Sequence, residues 1–269
     1  MTHSPPAAEL ELIKSYRMNN LSQYVMEAAR KRGVHIRLAR AARRYGLDVR
    51  ESSKHPNLVD FINDRKIDVV LDVGANSGQF GQKLRGFGYT GVIASYEPVS
   101  SAFKYLESIA RSDDKWTVNN FAIGAESGQL KINISANTKF SSALSLRDNA
   151  QEFHGGIVTD RVENVPVWTL DHVATEFEGN ILIKIDTQGS ERQVIEGGRK
   201  TVARSRGVLM ELPIIALYEN SWRLSEAIEY MDGIGFLPTQ IDPVNYHPTD
   251  RHALVEIDCL FRSRDPRLD

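Results

Sequence analysis

The stretch Val69-Val70-Leu71-Asp72-Val73-Gly74-Ala75-Asn76-Ser77-Gly78-Gln79-Phe80 runs from a largely apolar segment, through a turn of small residues, into an amphipathic one. An apolar run this short, ended by glycine, reads as a strand buried on both faces, and residues 80–87 read as the helix after it. Strand, tight turn and helix in that order suit a nucleotide loop. Gly74 and Gly78 allow close approach of backbone to a ligand, with Ala75 and Asn76 between them. Amides at the helix N-terminus favour a carboxylate or phosphate. Asp72, at the strand end, is placed to accept a hydrogen bond from a ligand ammonium, directly or through water.

The turn departs from the dinucleotide pattern G-x-G-x-x-G, because Asn76 stands where the second glycine belongs, and this disfavours NAD. About twenty residues on, a second strand, Val92–Tyr96, ends at Glu97-Pro98. A carboxylate there can accept two hydrogen bonds from ribose hydroxyls. A glycine turn alone is often only a turn and an acid at a strand end often only a helix cap; their ordered pairing carries the signal. Ala122 and Ile123, in Asn119-Asn120-Phe121-Ala122-Ile123-Gly124, offer an apolar edge for adenine, and plain strand packing explains Ile123 equally well.

From Pro56 onward, short apolar runs alternate with amphipathic segments, the pattern of βαβ units around a mostly parallel sheet flanked by helices. Residues 101–110 read as a helix, 116–123 as holding the third strand and 129–134 as a further one. Residues 137–164 are polar and aperiodic, a long excursion of the kind that contacts substrates. Strands follow at Ile181–Ile185, 207–211 and 253–261, with helices at 191–197 and 225–231. Residues 1–55 read as a helical extension ahead of a single domain at 56–269. Its arginines and lysines, Arg30, Lys31, Arg32, Arg37, Arg40, Arg43 and Arg44, form either a solvated helix face or a contact for an anionic membrane surface or acidic substrate.

A hydrophobic fraction of 41% over 269 residues supports a sizeable core, and a net charge of −2 leaves no overall field drawing the chain to nucleic acid. The single cysteine, Cys259, reads as a buried thiol, so no internal disulfide is possible. Pro5, Pro6 and Glu9 interrupt any signal-peptide core, and no apolar run has membrane-spanning length. A cytoplasmic protein is expected.

Five stretches taken in order resemble the FkbM family of methyltransferases: residues 71–78, Tyr96-Glu97-Pro98, residues 120–124, Thr169-Leu170-Asp171 and residues 183–191. The likeness spans roughly residues 69–210. It implies a class I methyltransferase fold of Rossmann-like type, S-adenosylmethionine as methyl donor and, often, a sugar or polyketide hydroxyl as acceptor. One position departs from the pattern: the family frequently has an acidic residue where this chain has Gln188. That departure leaves a divalent metal on paired carboxylates undecided. No histidine and cysteine cluster has zinc spacing, so no metal ligand is named.

Methyl transfer to a hydroxyl needs in-line alignment and a base to take the proton. Asp186, at the carboxyl end of a central strand, is the first candidate, against a reading as helix cap. His154, in the polar excursion, is the second, since imidazole titrates in the useful range. Glu211, ending the strand at 207–211, can orient the acceptor hydroxyl. Ser141 and Ser142 can reach a sugar or serve only turns. Trp168 reads as core and His172 as structural at a helix start. The expected activity is O-methylation of a small acceptor, a sugar unit of a glycoside or glycolipid. A non-catalytic module docking a partner or membrane through its basic N-terminal helices is the alternative. A nucleic-acid substrate is not expected, because the core domain shows neither a basic face nor a base-gripping segment.

Overall fold

The computed structural model describes residues 56–135, 141–145, 147 and 159–264. The basic N-terminal segment and His154 therefore lie outside the described residues. Within the unit made of Leu58–Gly81 and Thr90–Asp269, helix α1 (Leu58–Asp64) leads into β1 (Val69–Val73), all five of whose residues are buried. Helix α2 (Gln79–Gly86), whose residues from Gln82 on belong to the other compact unit, β2 (Val92–Tyr96), α3 (Ser100–Ala110) and β3 (Trp116–Asn119) follow. Next come β4 (Ala122–Gly124), β5 (Gly128–Ser135), β6 (Thr159–Thr169) and the short α4 (Leu170–Val173). The order ends with β7 (Ile181–Ile185), α5 (Glu191–Glu196), α6 (Arg199–Arg204), β8 (Gly207–Pro213), α7 (Leu224–Gly233), β9 (Phe236–Tyr246) and β10 (Leu254–Ser263).

Seven strands form one sheet in the order β3-β2-β1-β7-β8-β10-β9. The first five pair in parallel, and β10 runs antiparallel to both its neighbours. This is the mostly parallel α/β sheet that the sequence predicts. The chain steps outward from β1 through β2 to β3, then returns to lay β7 on the other side of β1. The strand order thus reverses between β1 and β7, and open α/β sheets bind ligands outside the carboxyl ends of strands at such a reversal. Leu71, Ile183, Ile185 and Val208 are fully buried in the main core. Each contributes about 1.5–3 kcal/mol by leaving water.

The structure corrects the sequence reading in four places. Residues 116–123 hold two strands rather than one: β3 closes the large sheet, whereas β4 belongs to a second sheet of order β4-β6-β5. The polar excursion ends earlier than expected, because residues 159–164 already belong to β6, paired antiparallel with β5. Strand β9 has no counterpart in the sequence reading. Trp168 is 39% exposed and stacks on the His172 ring at 4.7 Å instead of entering the core. Val165 and Val167 occupy the inward positions of β6, so the period of two turns Trp168 outward.

Candidate functional site

The loop after β1 is shaped by backbone demands. Gly74 has φ +75, and a Cβ there would lie 1.8 Å from the backbone oxygen of Asp186. The glycine lets the ends of β1 and β7 touch, which is a packing role. Gly78 stands at φ +82, a conformation that L side chains rarely adopt, and a Cβ there would press on the side-chain ends of Ile109 and Leu106. The loop amides are largely engaged within the protein. Those of Gly74 and Ala75 donate to Tyr96 O, that of Ser77 to Asn76 Oδ1, and that of Gly78 to Ala75 O.

Glu97 locks this loop to the end of β2. Its Oε2 accepts from the Asn76 amide at 2.7 Å and its Oε1 from the Val99 amide at 2.8 Å. Each oxygen keeps lone-pair capacity for a further donor. Burial pushes the Glu97 carboxyl up to about 7 against the pull of those two amides. Asn120 braces the same corner by donating to the backbone oxygens of Glu97 and Pro98. Ala122 and Ile123 are both buried: Ile123 packs in the main core, and Ala122 in a smaller one with Val99 and Val167.

Asp72 is completely buried. Its Oδ2 accepts from Ser95 Oγ at 3.2 Å, and Ser95 Oγ accepts in turn from the Trp116 indole at 3.0 Å. Its Oδ1 accepts no hydrogen bond but lies 3.5 Å from the Lys184 ammonium. Lys184 also reaches Asp186 Oδ2 at 3.3 Å and donates to Gly74 O at 3.2 Å. Burial alone would lower the lysine's proton affinity, yet Asp186 and Asp72 outweigh it and hold the ammonium charged above its ordinary range. Sequence reasoning passed over Lys184. A lysine between isoleucines signals a buried charge, but its partner Asp72 is 112 positions away.

Asp186 does not cap the following helix, as one sequence reading had it; Ser190 occupies that position. The loop between is held by Glu191, whose buried Oε1 accepts from the amides of Thr187 and Gly189 and from the Thr187 hydroxyl. The Asp186 side chain is 30% exposed. Its Oδ1 accepts from Gln188 Nε2 at 3.0 Å, and the same Nε2 donates to Glu211 Oε1 at 3.1 Å. Gln188 Oε1 accepts from the Tyr218 hydroxyl at 3.1 Å. Burial, then the Asp186 carboxylate and the neighbouring Glu256 and Asp258, push Glu211 up to about 9. Gln188 and Tyr218 were not foreseen as parts of one network, which three separate segments supply.

The described foot of the polar excursion borders this network. Ser142 Oγ donates to the backbone oxygen of Gln188 at 2.6 Å, and its backbone pairs with Asn133. Leu144 packs with Leu217 and Tyr218. The structure thus brings Asp72, Gly74, Asn76 and Glu97 together on one side of the strand reversal, and Asp186 and Glu211 on the other. Among the described residues no histidine, cysteine and carboxylate group is arranged to hold a metal ion, and no helix is long and apolar enough to cross a membrane.

Comparison with known proteins adds a family. The model of the methyltransferase FkbM domain matches residues 72–238. No curated protein matches the chain. Among solved structures, a methyltransferase FkbM from Methylobacillus flagellatus KT is 15% identical at a TM-score of 0.44; the match covers 72% of this chain and 43% of that one. An uncharacterized protein from Listeria monocytogenes serotype 4b is 11% identical at a TM-score of 0.42, covering 80% and 69%. An rRNA methylase from Streptococcus thermophilus is 10% identical at a TM-score of 0.43, covering 77% and 94%. The chain spans less than half the length of the Methylobacillus protein.

Proposed function

Since the chain belongs to the FkbM methyltransferase family, we propose that it moves a methyl group from S-adenosylmethionine to a hydroxyl oxygen of a small acceptor, a sugar unit of a glycoside or glycolipid. One observation carries the reading. The Glu97-locked loop after β1 and the carboxyl pair Asp186 and Glu211 meet at the strand reversal between β1 and β7, where the Gly74 backbone abuts that of Asp186.

The donor set fits the cofactor. S-adenosylmethionine offers an ammonium group and ribose hydroxyls as donors, and the site holds two buried carboxylates, one with an oxygen that accepts no hydrogen bond. Glu97 would hold the hydroxyls and Asp72 the ammonium. When bound, the cofactor supplies an electrophilic methyl on a sulfonium.

The chain's own part is alignment and proton removal. With its proton affinity raised to about 9, Glu211 keeps its proton at neutral pH, whereas Asp186 is ion-paired with Lys184. Two carboxyl groups in environments this different divide the work, which makes Asp186 the base and Glu211 the orienting group. With an acceptor hydroxyl held in line with that methyl, Glu211 would orient the oxygen and Asp186 would take the hydroxyl proton. Placement of the acceptor supplies much of the rate and the base a further 10²–10⁴-fold, roughly.

The test has two stages. Calorimetric titration with S-adenosylmethionine, S-adenosylhomocysteine and NAD should show binding of the first two only. Radiolabelled methyl transfer onto a panel of glycosides and glycolipids should then yield an alkali-stable ether. Label released by alkali, or found only on nitrogen, would overturn the hydroxyl acceptor.

A further inference from the structure

We propose that the Gln188 side-chain amide is the positioning group of the acceptor side, standing where a third carboxylate would complete a divalent-cation site with Asp186 and Glu211. The inference rests on the reading of those two carboxyl groups as the acceptor's partners.

The amide's orientation follows from chemistry. One terminal atom of Gln188 lies 3.0 Å from Asp186 Oδ1 and 3.1 Å from Glu211 Oε1. A carbonyl oxygen facing both would be repelled, so the atom is nitrogen and spends both its protons there. The Tyr218 hydroxyl then donates to Oε1 and fixes the orientation. The backbone of Gln188, at φ +54, is in the left-handed region that a non-glycine residue holds only when its surroundings over-determine it. Here the Ser142 hydroxyl on its carbonyl and three side-chain bonds do so.

Two N–H bonds aimed at two carboxyl groups hold an oxygen of Asp186 and an oxygen of Glu211 about one amide nitrogen. The spacing agrees. Neighbouring oxygens around octahedral magnesium, at about 2.1 Å from the ion, stand about 3.0 Å apart. A glutamate at 188 in the same rotamer would set a third carboxylate at that spacing, which demands a proton or a cation. The other charged groups facing the cluster are Lys184 on β7, Glu256 and Asp258 on β10 and Asp72 on β1. Lys184 is committed to Asp72 and Asp186.

The experiment compares wild type, Gln188→Glu and Gln188→Met by thermal melting from pH 7 to 10, with magnesium chloride titrated and S-adenosylhomocysteine affinity measured in parallel at pH 7. Gln188→Glu should be stabilised by magnesium at least tenfold more sensitively than wild type. Gln188→Met, which strips a donor from each carboxyl group, should melt progressively lower than wild type as pH rises through about 9, where Glu211 ionises. Wild type responding to magnesium as strongly as Gln188→Glu, or Gln188→Met tracking wild type across the range, would overturn the proposal. Should Gln188→Glu fail to fold with and without magnesium, the Gln188→Met series decides. Wild type that binds no S-adenosylhomocysteine would instead sink the methyltransferase reading, so the two failures are distinguishable.

Discussion

Asp72 of β1 and Lys184 of β7 are register neighbours in adjacent parallel strands, and their charged groups meet at 3.5 Å in the floor of the site. The ammonium serves both strands, because Asp186 and the Gly74 carbonyl receive it as well. Lys184→Met should therefore destabilise the fold by about 3–5 kcal/mol in urea unfolding, as an uncompensated buried carboxylate does. Adding Asp72→Asn to that variant should recover part of the loss. Equal stability of Lys184→Met and wild type would show the pair to be idle.

Glu97 binds the loop through Asn76 and keeps lone pairs for a ligand. Glu97→Ala should weaken S-adenosylhomocysteine binding about 10–100-fold, from the loss of charged hydrogen bonds worth about 1.5–3 kcal/mol. Its carboxyl is pushed up to about 7, so the ionised form that accepts best is lost as pH falls through that value. Wild-type affinity should drop between pH 8 and 6, and calorimetry in matched buffers should find no such drop in Glu97→Ala.

Gly74→Ala meets two penalties. A methyl at φ +75 is strained, and it would collide with the Asp186 backbone oxygen. Strain and overpacking together should cost about 2–5 kcal/mol, with the ends of β1 and β7 forced apart. Denaturant melts should show the loss, and donor binding should fall with it.

Asp186→Asn and Glu211→Gln separate base from orienting group. With an acceptor in hand, Asp186→Asn should slow turnover roughly 10²–10⁴-fold while S-adenosylhomocysteine affinity stays within about threefold. Glu211→Gln keeps a hydrogen-bonding group and should act mainly on the acceptor's KM. A turnover loss in Glu211→Gln matching that of Asp186→Asn would reverse the two roles.

The sequence exposed what lies close along the chain. The apolar run into Gly74 and the acid after β2 are local signals, and the structure puts Glu97 against the very loop it was paired with. The prolines at 238 and 243 and the exposed face of β9 hide an 11-residue strand from an alternation test. The fold tolerates them because β9 lies at the sheet edge, where amides need no ladder partner. The start of β6 was masked in the same way by its polar residues. Trp168 was misjudged because its place in a strand suggested core packing, while parity decides direction. Lys184, Gln188 and Tyr218 were illegible as a network, since each meets its partner only after the sheet assembles.

Ser142 ties the start of the excursion to the Gln188 backbone and to β5, while Glu97 and Asn120 secure the donor side through separate bonds. The two sets of bonds share no residue. Ser142→Ala should therefore loosen the Gln188 backbone and the carboxyl pair beside it, while the bonds from Glu97 to the Asn76 and Val99 amides stay in place.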